Sequence, residues 1–140
     1  MTIEEIIEDF SLLDEWEDRY RYVIELGNEL DTLPDSERTA ENKVRGCASQ
    51  VWLSTKIDKD SNPPRLTFRG DSDAHIVRGL IAIVFAVFGN NTPSEILNTD
   101  AEAIFDQIGL RDHLTAQRSN GLRAVVDRIK ADAAALHATS

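Results

Sequence analysis

Residues 74 to 88 carry the feature that most limits how this chain can fold. Apolar side chains point in nearly every direction around a helix of this length, so the helix must pack on more than one side. Asp71, Ser72 and Asp73 precede it and offer caps and favourable negative charge to its first turn. We therefore expect a central core helix. Its apolar residues are Ile76, Val77, Leu80, Ile81, Ile83, Val84, Phe85, Val87 and Phe88.

A strip of small residues runs along the same helix. Gly79, Ala82 and Ala86 are spaced i, i+3 and i+7, so they share one helical face. Such a strip lets a sheet or a second helix approach closely, and a cofactor groove is the alternative interpretation. We expect close packing.

Two strand patterns precede the central helix. Between Gln50 and Ile57 the apolar residues share one parity, and Leu66 and Phe68 alternate with polar residues farther on. The polar stretch 58–64 between them predicts a turn, and hence an antiparallel hairpin. Val44 and its neighbours suggest a third strand.

Helical patterns fill the rest of the chain. Amphipathic spacing predicts two helices before the strands, a capping box at Thr92-Pro93-Ser94-Glu95 predicts another helix, and an apolar stripe from Leu122 to Leu136 predicts a long C-terminal helix. This order predicts one α+β domain over residues 1–140, with a small three-stranded antiparallel sheet covered by helices on one face.

Charge is distributed unevenly along the 140 residues. The net charge is −10, and residues 1–37 hold 13 acidic and 2 basic residues, against 12 and 13 for residues 38–140. Such a surface disfavours nucleic-acid binding, because cations are needed to neutralise phosphates. The acidic N-terminal part is typical of a solvated surface, and the alternative interpretation is that it binds a protein partner with a basic face. The longest apolar stretch, 80–88, is too short to span a bilayer, so we expect no membrane association.

The chain has one cysteine, Cys47. A single thiol cannot form an intramolecular disulfide or a thiolate metal cage, and it suggests a reducing compartment. The acidic N-terminus lacks the positive start of a secretory signal. We therefore expect a cytoplasmic protein.

The surroundings of Cys47 suggest a reactive thiol. A thiolate needs nearby positive charge and partial exposure, and Arg38, Lys43 and Arg45 precede it in the sequence. Gly46 permits a sharp turn before the cysteine, and Ser49 and Gln50 make the following residues polar. The alternative is a small buried hydrophobic residue, which is common for lone cysteines.

Other catalytic chemistry has weaker support. His75, His113 and His137 lack metal-ligand spacing. A hydrolase with Cys47 as nucleophile and His75 or His113 as base stays an alternative, because such partners meet in space rather than in sequence. Arg118 precedes the last helical stripe, where it either reaches toward the cysteine or makes an ordinary surface contact.

Three motifs together resemble the SufE family of sulfur acceptor proteins, which includes CsdE. The resemblance covers most of the chain. The motifs are Val44-Arg45-Gly46-Cys47-Ala48-Ser49-Gln50-Val51-Trp52, Gly70-Asp71-Ser72-Asp73-Ala74 with Val77-Arg78-Gly79-Leu80-Ile81-Ala82, and Leu114-Thr115 through Arg118-Ser119-Asn120-Gly121-Leu122.

The resemblance implies the α+β fold shared with IscU-type scaffolds, and Cys47 as the residue that forms a persulfide. It implies sulfur transfer from a pyridoxal-phosphate-dependent cysteine desulfurase, SufS- or CsdA-like, stimulation of that enzyme, and delivery to the Suf scaffold for iron–sulfur cluster assembly. The partner holds the pyridoxal phosphate, so we expect no cofactor and no metal on this chain. The competing class is an adaptor that activates an enzyme by surface contact alone, with an incidental cysteine.

Overall fold

The computed structural model describes residues 2–30, 33–45, 50–110 and 114–139. Two helices lead the chain, α1 (Ile3–Ser11) and α2 (Trp16–Asn28), followed by a 3₁₀ turn at Asp35–Glu37. Two strands follow, β1 (Val51–Asp58) and β2 (Arg65–Ser72). The remaining elements are helical: α3 (His75–Phe88), α4 (Pro93–Asn98), α5 (Ala101–Gln107) and α6 (Ala116–Thr139).

The two strands pair antiparallel in a register that runs from Val51 opposite Ser72 to Asp58 opposite Arg65. Apolar residues on one face of the hairpin, including Val51, Leu53, Leu66 and Phe68, are buried, which confirms the predicted hairpin and its apolar face. Ile57 lies on the same face but is 38% exposed, because the hairpin tip extends past the core.

The expected three-stranded sheet is wrong for the part of the chain described, where the sheet has two strands. Residues 42–44 meet β1 at a single bridge, Lys43 opposite Trp52. The reason lies just upstream, where the Lys43 N–H donates to the Thr39 carbonyl at 3.1 Å. That turn carries the backbone away from β1, so pairing cannot continue.

Helices α3 and α6 contact the same face of the hairpin. An added Cβ on Gly70 would lie 2.9 Å from the Phe85 ring of α3, and the Thr55 hydroxyl donates to the Asp132 carboxylate of α6 at 2.8 Å. Gly70 and Thr55 share a face because Gly70 pairs with Leu53, two residues from Thr55. The expectation that helices cover one face is therefore confirmed.

Close packing of α2 on α3 accounts for Gly79, one of the three small residues in the strip on α3. A Cβ built on Gly79 would lie 2.0 Å from the Val23 carbonyl oxygen, and one on Gly27 would lie 2.7 Å from the Gly79 nitrogen. Neither position tolerates a side chain without moving a helix. Farther along, Ala82 and Ala86 line a pocket of about 230 Å³.

The start of α3 differs from the sequence expectation. Its N-cap is Ala74, whose side chain makes no capping bond. Ser72 Oγ still accepts from the Ala74 N–H at 3.3 Å, but Asp71 and Asp73 make other contacts. The capping box of α4 is confirmed, with reciprocal bonds between Thr92 and Glu95.

Candidate functional site

The residues on either side of the cysteine motif are held together at one end of the sheet. The Val44 N–H donates to the Val51 carbonyl, and the Leu53 N–H donates to the Asn42 carbonyl, both at 2.8 Å. Val44 and Val51 are almost completely buried, whereas Arg45 and Gln50 are exposed. The chain thus leaves and re-enters the core at adjacent points, with residues 45 to 50 between them.

Among the predicted site residues that follow Cys47 in the sequence, Gln50 is the first that the structure describes. Its backbone N–H donates to Asp73 Oδ1 at 3.1 Å, and its carbonyl accepts from the Asp73 N–H at 3.3 Å. These bonds continue the ladder by one step beyond the last strand pair, at Val51. The predicted residues Gly46, Cys47 and Ser49 lie outside the described residues.

The three cations expected near the cysteine have different environments. Lys43 and Arg45 are exposed, and neither makes an ion pair within residues 2–30, 33–45, 50–110 and 114–139. Arg38 is ion-paired with Asp71, and its guanidinium lies 5.6 Å from the centre of the Trp52 ring. The charge of Arg38 is therefore already engaged by a carboxylate, whereas Lys43 and Arg45 meet none among the residues that the structure describes.

Asp71 is a site residue that the sequence interpretation missed. It is 5% exposed and pairs with Trp52 across the hairpin. Besides Arg38, it has Arg78 of α3 within reach, with Nε 3.2 Å from Oδ1. That second contact is an ion pair without the alignment of a hydrogen bond. Two guanidinium groups therefore share one buried carboxylate, and the fully exposed Asp35 reaches Arg38 from the other side at 3.7 Å.

A sequence signal for this cluster exists, but it is ambiguous. Asp71 precedes the central helix closely enough to be taken as a cap, which is the commoner role of such a residue. Its strand parity, opposite to that of Leu66 and Phe68, instead places it on the other face of β2, where it meets Arg38 and reaches Arg78 in the first turn of α3. Whether Asp71 is a helix cap or a strand residue depends on where β2 ends, and β2 runs to Ser72.

Arg118 lies in the first turn of α6, where its backbone N–H donates to the Thr115 hydroxyl at 3.2 Å. Helix α6 runs parallel to β1, because Ala124 borders the same groove as Arg45, at the start of β1, while Asp132 contacts Thr55 farther along the strand. Arg118 precedes Ala124 by six residues, or roughly 9 Å along the axis. It therefore lies toward the end of the sheet that holds Arg45.

The described residues place one of the candidate bases near this end. His75 is exposed at the first position of α3, two residues after Asp73. His113 lies outside the described residues. Within the described ranges there is no cluster of three His, Cys, Asp or Glu residues arranged to hold a metal ion, and no helix there has the length and apolarity to cross a membrane.

Comparison with known proteins identifies the family. The model of the SufE family, described as an Fe–S metabolism associated domain, matches residues 4–133. An uncharacterized SufE-like protein of Rhizobium meliloti is 59% identical over 132 residues, which cover 94% of each chain. An uncharacterized SufE-like protein of Rhizobium etli is 57% identical over 132 residues, covering 94% of this chain and 89% of the relative.

A solved structure shows the same fold. The solution structure of a hypothetical protein from Thermus thermophilus superimposes with a TM-score of 0.73 and covers 95% of this chain and 96% of its own. At 17% identity this likeness concerns the fold alone. The family match and the two relatives together show that this chain is a member of the SufE family, whose domain is associated with iron–sulfur metabolism and sulfur transfer.

Proposed function

We propose that this protein is a sulfur carrier that accepts persulfide sulfur on Cys47 from a pyridoxal-phosphate-dependent cysteine desulfurase. It stimulates that desulfurase and passes the sulfur on for iron–sulfur cluster assembly, with the Suf scaffold complex as the recipient. A lone thiol of this kind fits the reducing cytoplasm.

The observation that carries the proposal is the hydrogen bond from the Val44 N–H to the Val51 carbonyl, which brings together the two ends of the segment that contains Cys47. It ties both flanks of the cysteine motif to the end of the sheet, and covalent connectivity keeps Cys47 within about 11 Å of Val44, at no more than about 3.6 Å per residue. Arg45, two residues before Cys47, is exposed. A protein donor can therefore reach this end of the fold.

Electrostatics at this end favour an anionic sulfur. Lys43 and Arg45 have no carboxylate partner among the described residues, and the nearby Asp71 carboxylate is neutralised by two guanidinium groups. Positive charge lowers the free energy of a thiolate relative to its thiol, and it does the same for a persulfide anion. Gln50 and Arg118 lie at the same end and are available to orient the segment or the donor.

The transfer is balanced without an external oxidant. The Cys47 thiolate attacks the terminal sulfur of the donor's persulfide, the sulfur–sulfur bond in the donor breaks, and the donor cysteine leaves as a thiolate. One sulfur atom moves, and the number of sulfur–sulfur bonds is unchanged. The pyridoxal phosphate chemistry that first removes sulfur from cysteine belongs to the donor.

Mass spectrometry of the intact protein tests this proposal. After incubation with the desulfurase and cysteine, the protein should gain the mass of one sulfur atom, and a thiol reductant should remove it. Because Cys47 is the sole cysteine, the assignment is unambiguous, and Cys47→Ser should gain no mass and should not stimulate the desulfurase. If Cys47→Ser stimulates the desulfurase as well as the natural protein does, the adaptor class is correct and the carrier role is wrong.

A further inference from the structure

A groove of about 430 Å³ lies beside the segment that carries Arg45. One wall is formed by Lys43, Val44 and Arg45, and the other by Ala124 and Arg128 of α6. We call it the basic groove. Its end at Arg45 is two residues from Cys47 in the sequence.

Cations outnumber carboxylates on the groove walls. Lys43 and Arg45 make no ion pair with a described residue, and Glu41 is the acidic residue that also lines the groove. Arg128 donates from Nη2 to the Glu41 carbonyl at 2.9 Å, and its Nε lies 3.4 Å from Asp132 Oδ1. Arg128 therefore ties α6 to the segment before β1, while Lys43 and Arg45 keep their charge available.

The rest of the protein has the opposite charge. Residues 1–37 hold 13 acidic and 2 basic residues, and the whole chain has a net charge of −10. An acidic partner is therefore repelled by the surface of α1 and α2 and attracted to the groove. Such an asymmetry orients a partner, because an acidic segment is disfavoured at α1 and α2 and favoured at the groove.

We propose that the basic groove is a docking site for an acidic segment of the desulfurase that donates sulfur to Cys47. The proposal rests on the function proposed above and adds the place and chemistry of partner recognition. Carboxylates of the donor bind Lys43 and Arg45, which places the donor's persulfide at the end of the sheet next to Cys47. Ala124 lies on the α6 wall of this groove, close enough to Lys43 and Arg45 for a charge placed there to be felt by the bound segment.

The matched pair Ala124→Glu and Ala124→Gln tests the proposal, because the two side chains have the same shape and differ in charge. Ala124 is half-buried on α6, and both replacements are good helix formers. Binding of each full-length variant to the purified cysteine desulfurase from the same organism is measured by surface plasmon resonance at low and at physiological salt.

We expect Ala124→Glu to weaken binding about tenfold at low salt, mainly through the association rate, and the loss should shrink as salt rises. Ala124→Gln should stay within about twofold of the natural protein. Equal weakening by both variants would show steric contact without charge recognition and overturn the acidic-partner proposal. Unchanged binding of Ala124→Glu would remove the groove from the interface and overturn it as well.

A second measurement separates this proposal from the carrier function. Each protein is incubated with a low-molecular-weight persulfide, and the sulfur gained by Cys47 is measured by mass. Ala124→Glu should gain the same sulfur mass as the natural protein once loading is complete, because no docking is needed for the final extent of loading. If the natural protein loads from neither the small donor nor the desulfurase, the carrier function fails. If loading is normal but Ala124→Glu binds the desulfurase normally, the groove proposal alone fails.

Discussion

Asp73 and Gln50 are joined by a reciprocal pair of hydrogen bonds at the start of the hairpin. The Gln50 N–H donates to the Asp73 carboxylate at 3.1 Å, and the Asp73 N–H donates to the Gln50 carbonyl at 3.3 Å. One bond depends on the side chain and the other does not. Asp73 thus fixes the point at which the chain returns from the cysteine motif to β1.

Removing the Asp73 carboxylate should loosen that point. Asp73→Ala deletes the acceptor for the Gln50 N–H, and we expect faster amide hydrogen exchange at Gln50 with a stability loss of about 0.5–1.5 kcal/mol. Asp73→Asn keeps an acceptor oxygen and should show a smaller effect. Asp127→Asn, at an exposed position of α6, is the control. Unchanged exchange at Gln50 in Asp73→Ala would show that the carboxylate does not hold it.

The buried carboxylate of Asp71 should be costly to neutralise. Asp71→Asn leaves Arg38 and Arg78 facing each other without the buried counter-charge, and we expect a loss of roughly 2–4 kcal/mol, reduced from the fully buried case because Arg38 is partly exposed. Urea denaturation measures the loss. The exposed pair Arg69 and Glu37 provides a control, since Arg69→Gln should cost less than about 1 kcal/mol.

A double-mutant cycle identifies the cause of the Asp71 effect. If the loss comes from unpaired guanidinium charge, the double variant Arg38→Gln/Asp71→Asn should lose less stability than the sum of the losses in the two single variants. Strict additivity would instead indicate that the two residues act independently, contrary to the ion pair in the structure.

Helix α3 should not tolerate a methyl group where it crosses α2. Gly79→Ala places a Cβ 2.0 Å from the Val23 carbonyl oxygen, and backbone cannot move aside as a side chain can. We expect a loss of about 3 kcal/mol or more, at the upper end of overpacking effects. Ala82→Gly on the same helix should cost only about 1 kcal/mol, through helix propensity. Thermal denaturation compares them, and a Gly79→Ala protein as stable as Ala82→Gly would contradict the crossing geometry.

The capping box of α4 should give a specific acid dependence of stability. The Thr92 N–H donates to the Glu95 carboxylate at 3.1 Å, and this bond holds the pKa of Glu95 below its ordinary value of 4.5, with further lowering from the Thr92 side chain and from Arg65. A lowered pKa in the folded state means that the stabilisation is present above pH 4.5 and is lost as the pH falls through the folded value.

Glu95→Gln isolates that contribution. Its urea midpoint should lie below that of the natural protein near pH ~6, and the difference should shrink as the pH falls below 4.5 through the lowered pKa of Glu95. Glu25→Gln, on an exposed position of α2, should show little difference at either pH. A difference for Glu95→Gln that stays constant with pH would refute a role for the charge.

Local patterns predicted the elements that depend on neighbours in sequence. The apolar alternation at Val51 and Leu53 and the box at Thr92 were sufficient, because strand parity and helix capping are set within a few residues. The apolar residues distributed all around α3 also predicted correctly that this helix packs on several sides. The interpretation went wrong at Asp71, where cap and strand end were both compatible with the sequence, and at Val44, where a turn upstream ends the pairing.

The sequence by itself determined the fold class, the central helix and the single thiol with cations close to it in the chain, since each follows from residue type and spacing. The tertiary structure decided which of those cations is available, because Arg38 meets a carboxylate 33 positions away whereas Lys43 and Arg45 meet none in the described chain. It also set Ala124 and Arg128 of α6 opposite Lys43 and Arg45. Contacts between distant segments depend on how helices and sheet pack together, and no local pattern in one sequence specifies that packing.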